Sequence, residues 1–379
     1  MNLLSGIEQD FHRPQKSPGA YEWWHFDGTD EKNGYAFSIQ FFAGNLTSAY
    51  YQDSLKTYWQ KTKSPLIDSG SMPQPPNPTD FCGVAFRIFH NGRLAGEALQ
   101  EFSSHFLKAS EKQSAVMLGP NRFNWDESGD PPSYVLTVQA PIRGGKKLLR
   151  ARLFFTPEMG NIPNLPKPEI PSTHTWVLAA PRCHVEGTLE WCDTAGEVVK
   201  KQGFLGRGYR DHHYGSVPLD RFVKAWHWGR AYLGDETLIY SVQCPADHQD
   251  SAHGLFLTGP QKDIQVWDVA YNLSQNRRNF FWLPYQKTLG FTDIHSLKIK
   301  HQKILSDGPA SLIFEDLIEW TQNGATQKGA GMSNYLYTPR LSNRLFFPML
   351  KGKTTVYSQR DEIQLPADPG DVTTSRPSQ

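Results

Sequence analysis

The stretch Tyr21-Glu22-Trp23-Trp24-His25-Phe26-Asp27-Gly28 decides how the rest of this 379-residue chain is read. Its aromatic residues suit a pleated, half-buried surface. As a strand it places Glu22, Trp24 and Phe26 on one face and Tyr21, Trp23, His25 and Asp27 on the other. Ionisable groups then fall on both faces, which is costly in a buried strand unless they are paired. At least one face is therefore expected to meet a polar site or solvent. The run is expected to end in a turn at Gly28-Thr29-Asp30, with a second strand over 35–42 returning across Asn33-Gly34.

Working outward, residues 1–20 are polar and broken by Pro14, Pro18 and Gly19, so they read as an irregular lead-in. Short β-like runs recur at 84–90, 134–140, 148–156, 174–181 and 183–191, with turns at Asn91-Gly92 and Gly144-Gly145. Further strands are expected near 222–232, 237–244, 252–258 and 311–320, with Gly234-Asp235 as the turn between the first two. In the first of these, Trp226, Trp228, Arg230 and Tyr232 share a face and His227 takes the other. Arg230 is expected to brace a buried carboxylate such as Glu22 or Asp27. Gly329-Ala330-Gly331 reads as a glycine-eased turn, and no stretch offers a long, well-capped amphipathic helix. The proline-bearing segments 60–80 and 161–172 read as an extended loop, long enough to cover a pocket mouth, and a linker.

A chain of this length exceeds what one core organises. The reading is an all-β, mostly antiparallel protein in two halves. A lead-in covers 1–20, an N-terminal domain 21–182 and a C-terminal domain 183–362, and a disordered tail closes the chain over 363–379.

A net charge of +1 argues against partners found by bulk electrostatics, so no nucleic acid and no anionic membrane surface is expected. Eleven Trp, 15 Tyr and 22 Phe supply much of the apolar volume, which suits aromatic β cores and pockets for flat or elongated apolar ligands. Cys82, Cys183, Cys192 and Cys244 show no CxxC spacing and read as free thiols of a reducing compartment. No apolar run approaches the roughly 20 residues of a membrane helix. The expectation is a cytoplasmic protein with no integral membrane segment, as a monomer or homodimer.

Chemistry concentrates at Gly206-Arg207-Gly208-Tyr209-Arg210-Asp211-His212-His213-Tyr214-Gly215. Three glycines in ten residues read as a tight, irregular turn rather than a plain strand. Asp211 beside His212 is a minimal unit for proton handling. The competing reading is a buried Asp and His that satisfy loop backbone groups. A metal site built from Asp211, His212, His213 and His25 is not expected, because adjacent histidines on a strand point oppositely and no HxH or HxxxH repeat is present.

The motif Gly-x-Gly-Tyr-x-Asp-His-x-x-Gly at 206–215, with Trp226-His227-Trp228-Gly229-Arg230-Ala231 and the opening Tyr21–Gly28 block, resembles the carotenoid 1,2-hydratase (hydroxyneurosporene synthase) and AttH-like family. Fungal lipocalin-like Diels–Alderases share its superfamily. The resemblance implies two lipocalin-like β-barrels or sandwiches packed together, a hydrophobic pocket between or within them, and a hydrophobic small-molecule substrate handled with no organic cofactor.

In the hydratase reading Asp211, His212 and Tyr214 are catalytic. Glu22, Trp24, His25, Trp226, Trp228 and Tyr240 line the substrate, and an acid protonates an isoprenoid double bond whose cation aromatic faces stabilise. Two departures stand out: the family's D-H-N-W-G is Asp211-His212-His213-Tyr214-Gly215 here, and its Tyr-x-Asp proton donor is replaced by Tyr240-Ser241-Val242. Hydration, cyclisation of a polyene or terpenoid, and ligand binding without chemistry all remain open at this point.

Overall fold

The computed structural model describes residues 1–63, 73–142, 147–158, 173–246, 271–291, 296–321, 324–358 and 361, and only the backbone of residue 322 and of the strands Ala252–Gly259 and Lys262–Trp267. Its described residues form two curled, half-barrel sheets of 13 and nine strands, a lipocalin-like all-β fold. The first is antiparallel from Arg93–Phe102 through Cys82–His90, Tyr35–Ala43, Tyr21–Asp30, Val198–Gly215, His174–Cys192, Leu148–Pro157 and onward. Asn2–Ser5 and Thr354–Tyr357 join it in parallel, so the two ends of the described chain both close on this sheet. The second sheet is built from 223–337. The chain passes from one to the other between Gly215 and Val223 through the short Leu219–Arg221 turn, and position 182 lies within the strand His174–Cys192.

Three apolar layers result. Trp24, Phe26, Phe37, Phe86, Phe123 and Phe155 fill the first sheet's concave face, and Leu238, Leu289, Ile299 and Ile318 fill the second's. Tyr21, Trp23, Phe42, Trp226, Trp228 and Leu336 form the layer where the sheets meet. Each large side chain buried here contributes about 1.5–3 kcal/mol. The strand Tyr21–Asp30 is central because both of its faces are buried, one in each layer.

Several expectations change. The 206–215 motif is not a turn but the end of the strand Val198–Gly215. Its glycines serve close approach: a Cβ on Gly206 would lie 2.1 Å from the Thr29 carbonyl oxygen, and one on Gly208 2.4 Å from Val185. Gly329 and Gly331 likewise sit inside the strand Ala325–Tyr337, and Tyr21–Asp30 runs through Gly28 without turning.

A helix, Ala49–Thr62, occupies a stretch read as non-helical; Ser48 caps it by accepting from the Tyr50 and Tyr51 amides. Its signal was present in the capping serine followed by apolar residues at 51, 55, 58 and 59. Asn91-Gly92 and Gly234-Asp235 are hairpin turns as read, with φ of +51°, +70° and +62° at Asn91, Gly92 and Gly234. The Gly144-Gly145 turn, the 161–172 linker, residues 64–72 of the proline-bearing loop and the tail lie outside the described residues. No described helix is long and apolar enough to cross a membrane.

Candidate active site

Register decides which side chains meet. Asp211 stands opposite His25, and His212 opposite Trp24. Neighbours along a strand point to opposite faces, so Asp211 and His212, read as a pair from their adjacency, are separated by the sheet. Asp211 pairs with His213, two residues on.

On the face toward the first sheet's interior, Arg210 donates to both Asp10 oxygens at 2.8 Å. Ser114 and Tyr134 hydroxyls also donate to Asp10, at 2.7 and 2.8 Å. His212 lies between two carboxylates, with Nδ1 3.2 Å from Asp10 and Nε2 2.9 Å from Glu22. His12 Nδ1 meets the other Glu22 oxygen at 2.6 Å. Trp24 stacks on His212 with centroids 5.0 Å apart, and half-buried Tyr214 flanks it at 5.4 Å.

Burial alone would lower the pKa of His212; hydrogen bonds and charge from Asp10 and Glu22 outweigh it and raise the value. Burial likewise works against ionisation of Asp10 and Glu22, but Arg210 and the two histidines hold both carboxyls below their ordinary range.

These shifts set a pH dependence. A raised folded pKa means that His212's contribution to stability is fully present below about pH 6.5 and is lost as pH rises through the folded value. Asp10 and Glu22 act oppositely: their contribution is present above about pH 4 and is lost as pH falls through their lowered values. Urea titrations of wild type and His212→Gln should therefore show a stability gap that is widest near about pH 6 and narrows on going alkaline. A gap independent of pH would contradict an imidazolium at this position.

The opposite face looks toward the second sheet. Asp211 Oδ2 accepts from the Tyr209 hydroxyl at 2.8 Å and the Trp176 indole N–H at 3.0 Å, and His213 Nε2 lies 3.1 Å away. His213 Nδ1 is 3.3 Å from His174 Nε2, and His174 Nδ1 is 2.8 Å from the Tyr21 hydroxyl. With both imidazoles neutral, one set of tautomers satisfies every link: Tyr21 donates to His174, His174 to His213, and His213 to Asp211. The neutrality has a cause, since burial lowers the pKa of both histidines, with His213 further opposing charge on His174 and with His212 and His25 opposing charge on His213 against the pull of Asp211. Burial alone would raise Asp211, but the hydrogen bonds from His213 and Tyr209 and the nearby His25 hold its carboxyl below the ordinary carboxylate range.

His25 stands 3.8 Å from Asp211 and 3.8 Å from Asp27. Arg230 of the second sheet clasps Asp27 through Nε at 2.8 Å and through Nη2, as read from the sequence. Trp23 stacks over His213 with centroids 4.6 Å apart, and Trp226 and Trp228 close the group.

Beside this network a cleft opens between the sheets. Trp23, Phe42, Leu99, Trp228, Leu312 and Leu336 give it apolar walls. Trp23 and Trp228 thus link cleft and network, and their buried indole N–H groups have no hydrogen-bond partner among the described residues. Of the polar lining residues, Arg87 and Glu97 pair at 2.9 Å, while Glu101 is 7% exposed and burial pushes its carboxyl up to about 7.

Among the residues expected at a site, Asp211, His25, Trp226 and Trp228 come together here. Glu22, Trp24, His212 and Tyr214 lie across the sheet. Tyr240 is elsewhere, in the second sheet's interior, donating to Asp316 at 3.1 Å beside His301. Asp10, His12, Tyr209 and Glu101 were not singled out from the sequence, and His174 was read there as a satisfied strand residue. Among the described residues, no group of three or more His, Cys, Asp or Glu side chains is disposed to hold a metal.

Residues 42–359 match the family model described as carotenoid hydratase CrtC. A relative named hydroxyneurosporene dehydrogenase, from Chlorobaculum tepidum, is 28% identical over 357 residues, covering 91% of this chain and 90% of its own. An acyclic carotenoid 1,2-hydratase of Rubrivivax gelatinosus is 23% identical over 61% of this chain, and the match spans 50% of that protein. Among solved structures, an AttH from Nitrosomonas europaea superposes with a TM-score of 0.59 at 15% identity, covering 88% of this chain and 95% of its own.

Proposed function

The chain belongs to the carotenoid hydratase CrtC family, and on that premise we propose that it adds water across a carbon–carbon double bond of an elongated hydrophobic polyene held in the cleft between its two sheets, with no organic cofactor. The observation that carries this reading is the junction of cleft and network: an apolar channel ends on Trp23 and Trp228, directly over a buried Asp211–His213 pair.

Hydration of an isolated alkene passes through a carbocation, which the faces of Trp23, Trp228 and Phe42 favour by about 2 kcal/mol or more per well-placed ring when water is excluded. Asp211 is already an anion holding fixed donors, so it acts as a counter-charge beneath the aromatic wall rather than as an acid. The free indole N–H groups of Trp23 and Trp228 offer hydrogen bonds to the water oxygen. The Tyr21–His174–His213 relay keeps Asp211 ionised and fixed in place.

Incubation with an acyclic carotenoid bearing terminal isoprenoid double bonds tests this, read by product mass. The expected product is heavier by one water. A product lighter by two hydrogens would instead support the dehydrogenation that one relative's name suggests, and a polyene bound but returned unchanged would support a carrier.

A further inference from the structure

We infer that Glu101 is the proton donor of this hydration, delivering its carboxyl proton to the double bond of a polyene lying in the cleft between the sheets. The inference rests on the hydratase reading and names the acid which that reading requires. Alkene hydration begins with a proton at carbon, so the cleft must present a carboxyl that is still protonated near neutral pH.

Position is the first argument. In the strand Arg93–Phe102, Glu97, Leu99 and Glu101 alternate onto the cleft wall. Glu101 stands opposite Gly83, Gly83 opposite Phe42, and Phe42 opposite Trp23. Acid and aromatic rings thus share one row across four strands. About 14 Å separates the backbones at its ends, a span that the Glu and Trp side chains narrow from both sides and the end of a substrate fills.

Elimination is the second. Asp211 is ionised, and Asp10 and Glu22 face the other side of the sheet. Glu97 is held as an anion by Arg87 and, at 3.4 Å, Lys353; Asp27, whose carboxyl burial raises, is clasped by Arg230 and does not line the cleft, and Asp307 of the lining accepts from Asn279 Nδ2 at 2.5 Å. Among the described residues Glu101 has no ion-pair contact; Lys351 acts on it from a distance while standing 3.9 Å from Asp53. Burial keeps its proton on to about pH 7.

Surroundings are the third. Ser48 works against burial to lower the Glu101 carboxyl while its oxygen caps the helix Ala49–Thr62, so the nearby hydroxyl and the positive end of that helix both favour the carboxylate left behind after proton transfer.

The step balances. The Glu101 O–H bond breaks, and the alkene π pair takes the proton to form a C–H bond, leaving a cation at the more substituted carbon. A water oxygen bonds to that carbon and sheds its proton, which returns to the Glu101 carboxylate directly or through cleft water. Alkene and water become an alcohol, and nothing is oxidised or reduced.

The test is Glu101→Gln, which keeps the shape and removes the acid, with Glu101→Asp alongside. Turnover of an acyclic carotenoid should fall about a hundredfold or more in Glu101→Gln, with the bound polyene's absorption band and the far-UV spectrum unchanged, and should recover in part in Glu101→Asp. Wild-type turnover should also fall as pH rises past about 7. The charged groups near Glu101 are Lys351, Lys353, Arg87 and Glu97, and Arg87 and Lys353 hold the Glu97 carboxyl below its ordinary range against the effect of burial. Wild-type turnover retained in Glu101→Gln, or no alkaline limb in wild type, would overturn the assignment while leaving the hydratase reading intact. Wild type that hydrates no polyene would sink both.

Discussion

Asp211→Asn is expected to lower hydration turnover by about a hundredfold or more while KM changes little. The carboxylate sits under the Trp23 end of the cleft with its charge fixed by Tyr209, Trp176 and His213, so it opposes the positive charge that develops only at the transition state. An amide preserves the shape and one acceptor but removes that charge. Losing charge-assisted bonds from three buried donors should also destabilise the fold by about 1–3 kcal/mol. Steady-state kinetics with urea denaturation of the same preparation separates the effects: a loss confined to stability would make Asp211 a structural anion, and a loss confined to KM would place it in ground-state binding.

The largest effect on stability is expected from Arg210→Met. Arg210 is fully buried and bridges both Asp10 oxygens, with the rings of Phe26 and Phe123 4.4 and 4.9 Å from its guanidinium. Removing it leaves Asp10 buried beside Tyr134 and Ser114 without its strongest counter-charge, a loss of about 3–5 kcal/mol. Adding Asp10→Leu should recover part of that, because an apolar pair avoids the desolvation that an orphaned carboxylate incurs. A double variant no more stable than Arg210→Met in urea would show that the ion pair is not the source of the loss.

The fold was legible where local rules act alone. Alternation along Tyr21–Asp30 correctly sorted Glu22, Trp24 and Phe26 from Trp23, His25 and Asp27, because strand geometry admits no other partition. Asn91-Gly92 and Gly234-Asp235 were readable because positive φ selects those residues. The glycines at 206 and 208 misled because the same absence of a Cβ serves either a turn or a neighbouring strand packed within 3 Å, and sequence does not distinguish the two.

The site was half legible for a related reason. Asp211 and His212 drew notice by adjacency, yet on a strand adjacency guarantees separation, and the histidine hydrogen-bonded to Asp211 is His213. Asp10 and His12 were hidden in a lead-in whose prolines suggested irregularity, although it delivers two side chains to the Glu22–His212 network. Glu101 lies in an ordinary-looking segment, and only the opposing sheet makes its burial visible.

Protonation followed by water addition in the cleft is tested by turnover of an acyclic carotenoid in deuterium oxide. The account predicts an alcohol carrying one new deuterium on the carbon next to the hydroxyl-bearing carbon. An isomer of the substrate free of carbon-bound deuterium would mean a cyclisation without proton transfer and would contradict the account.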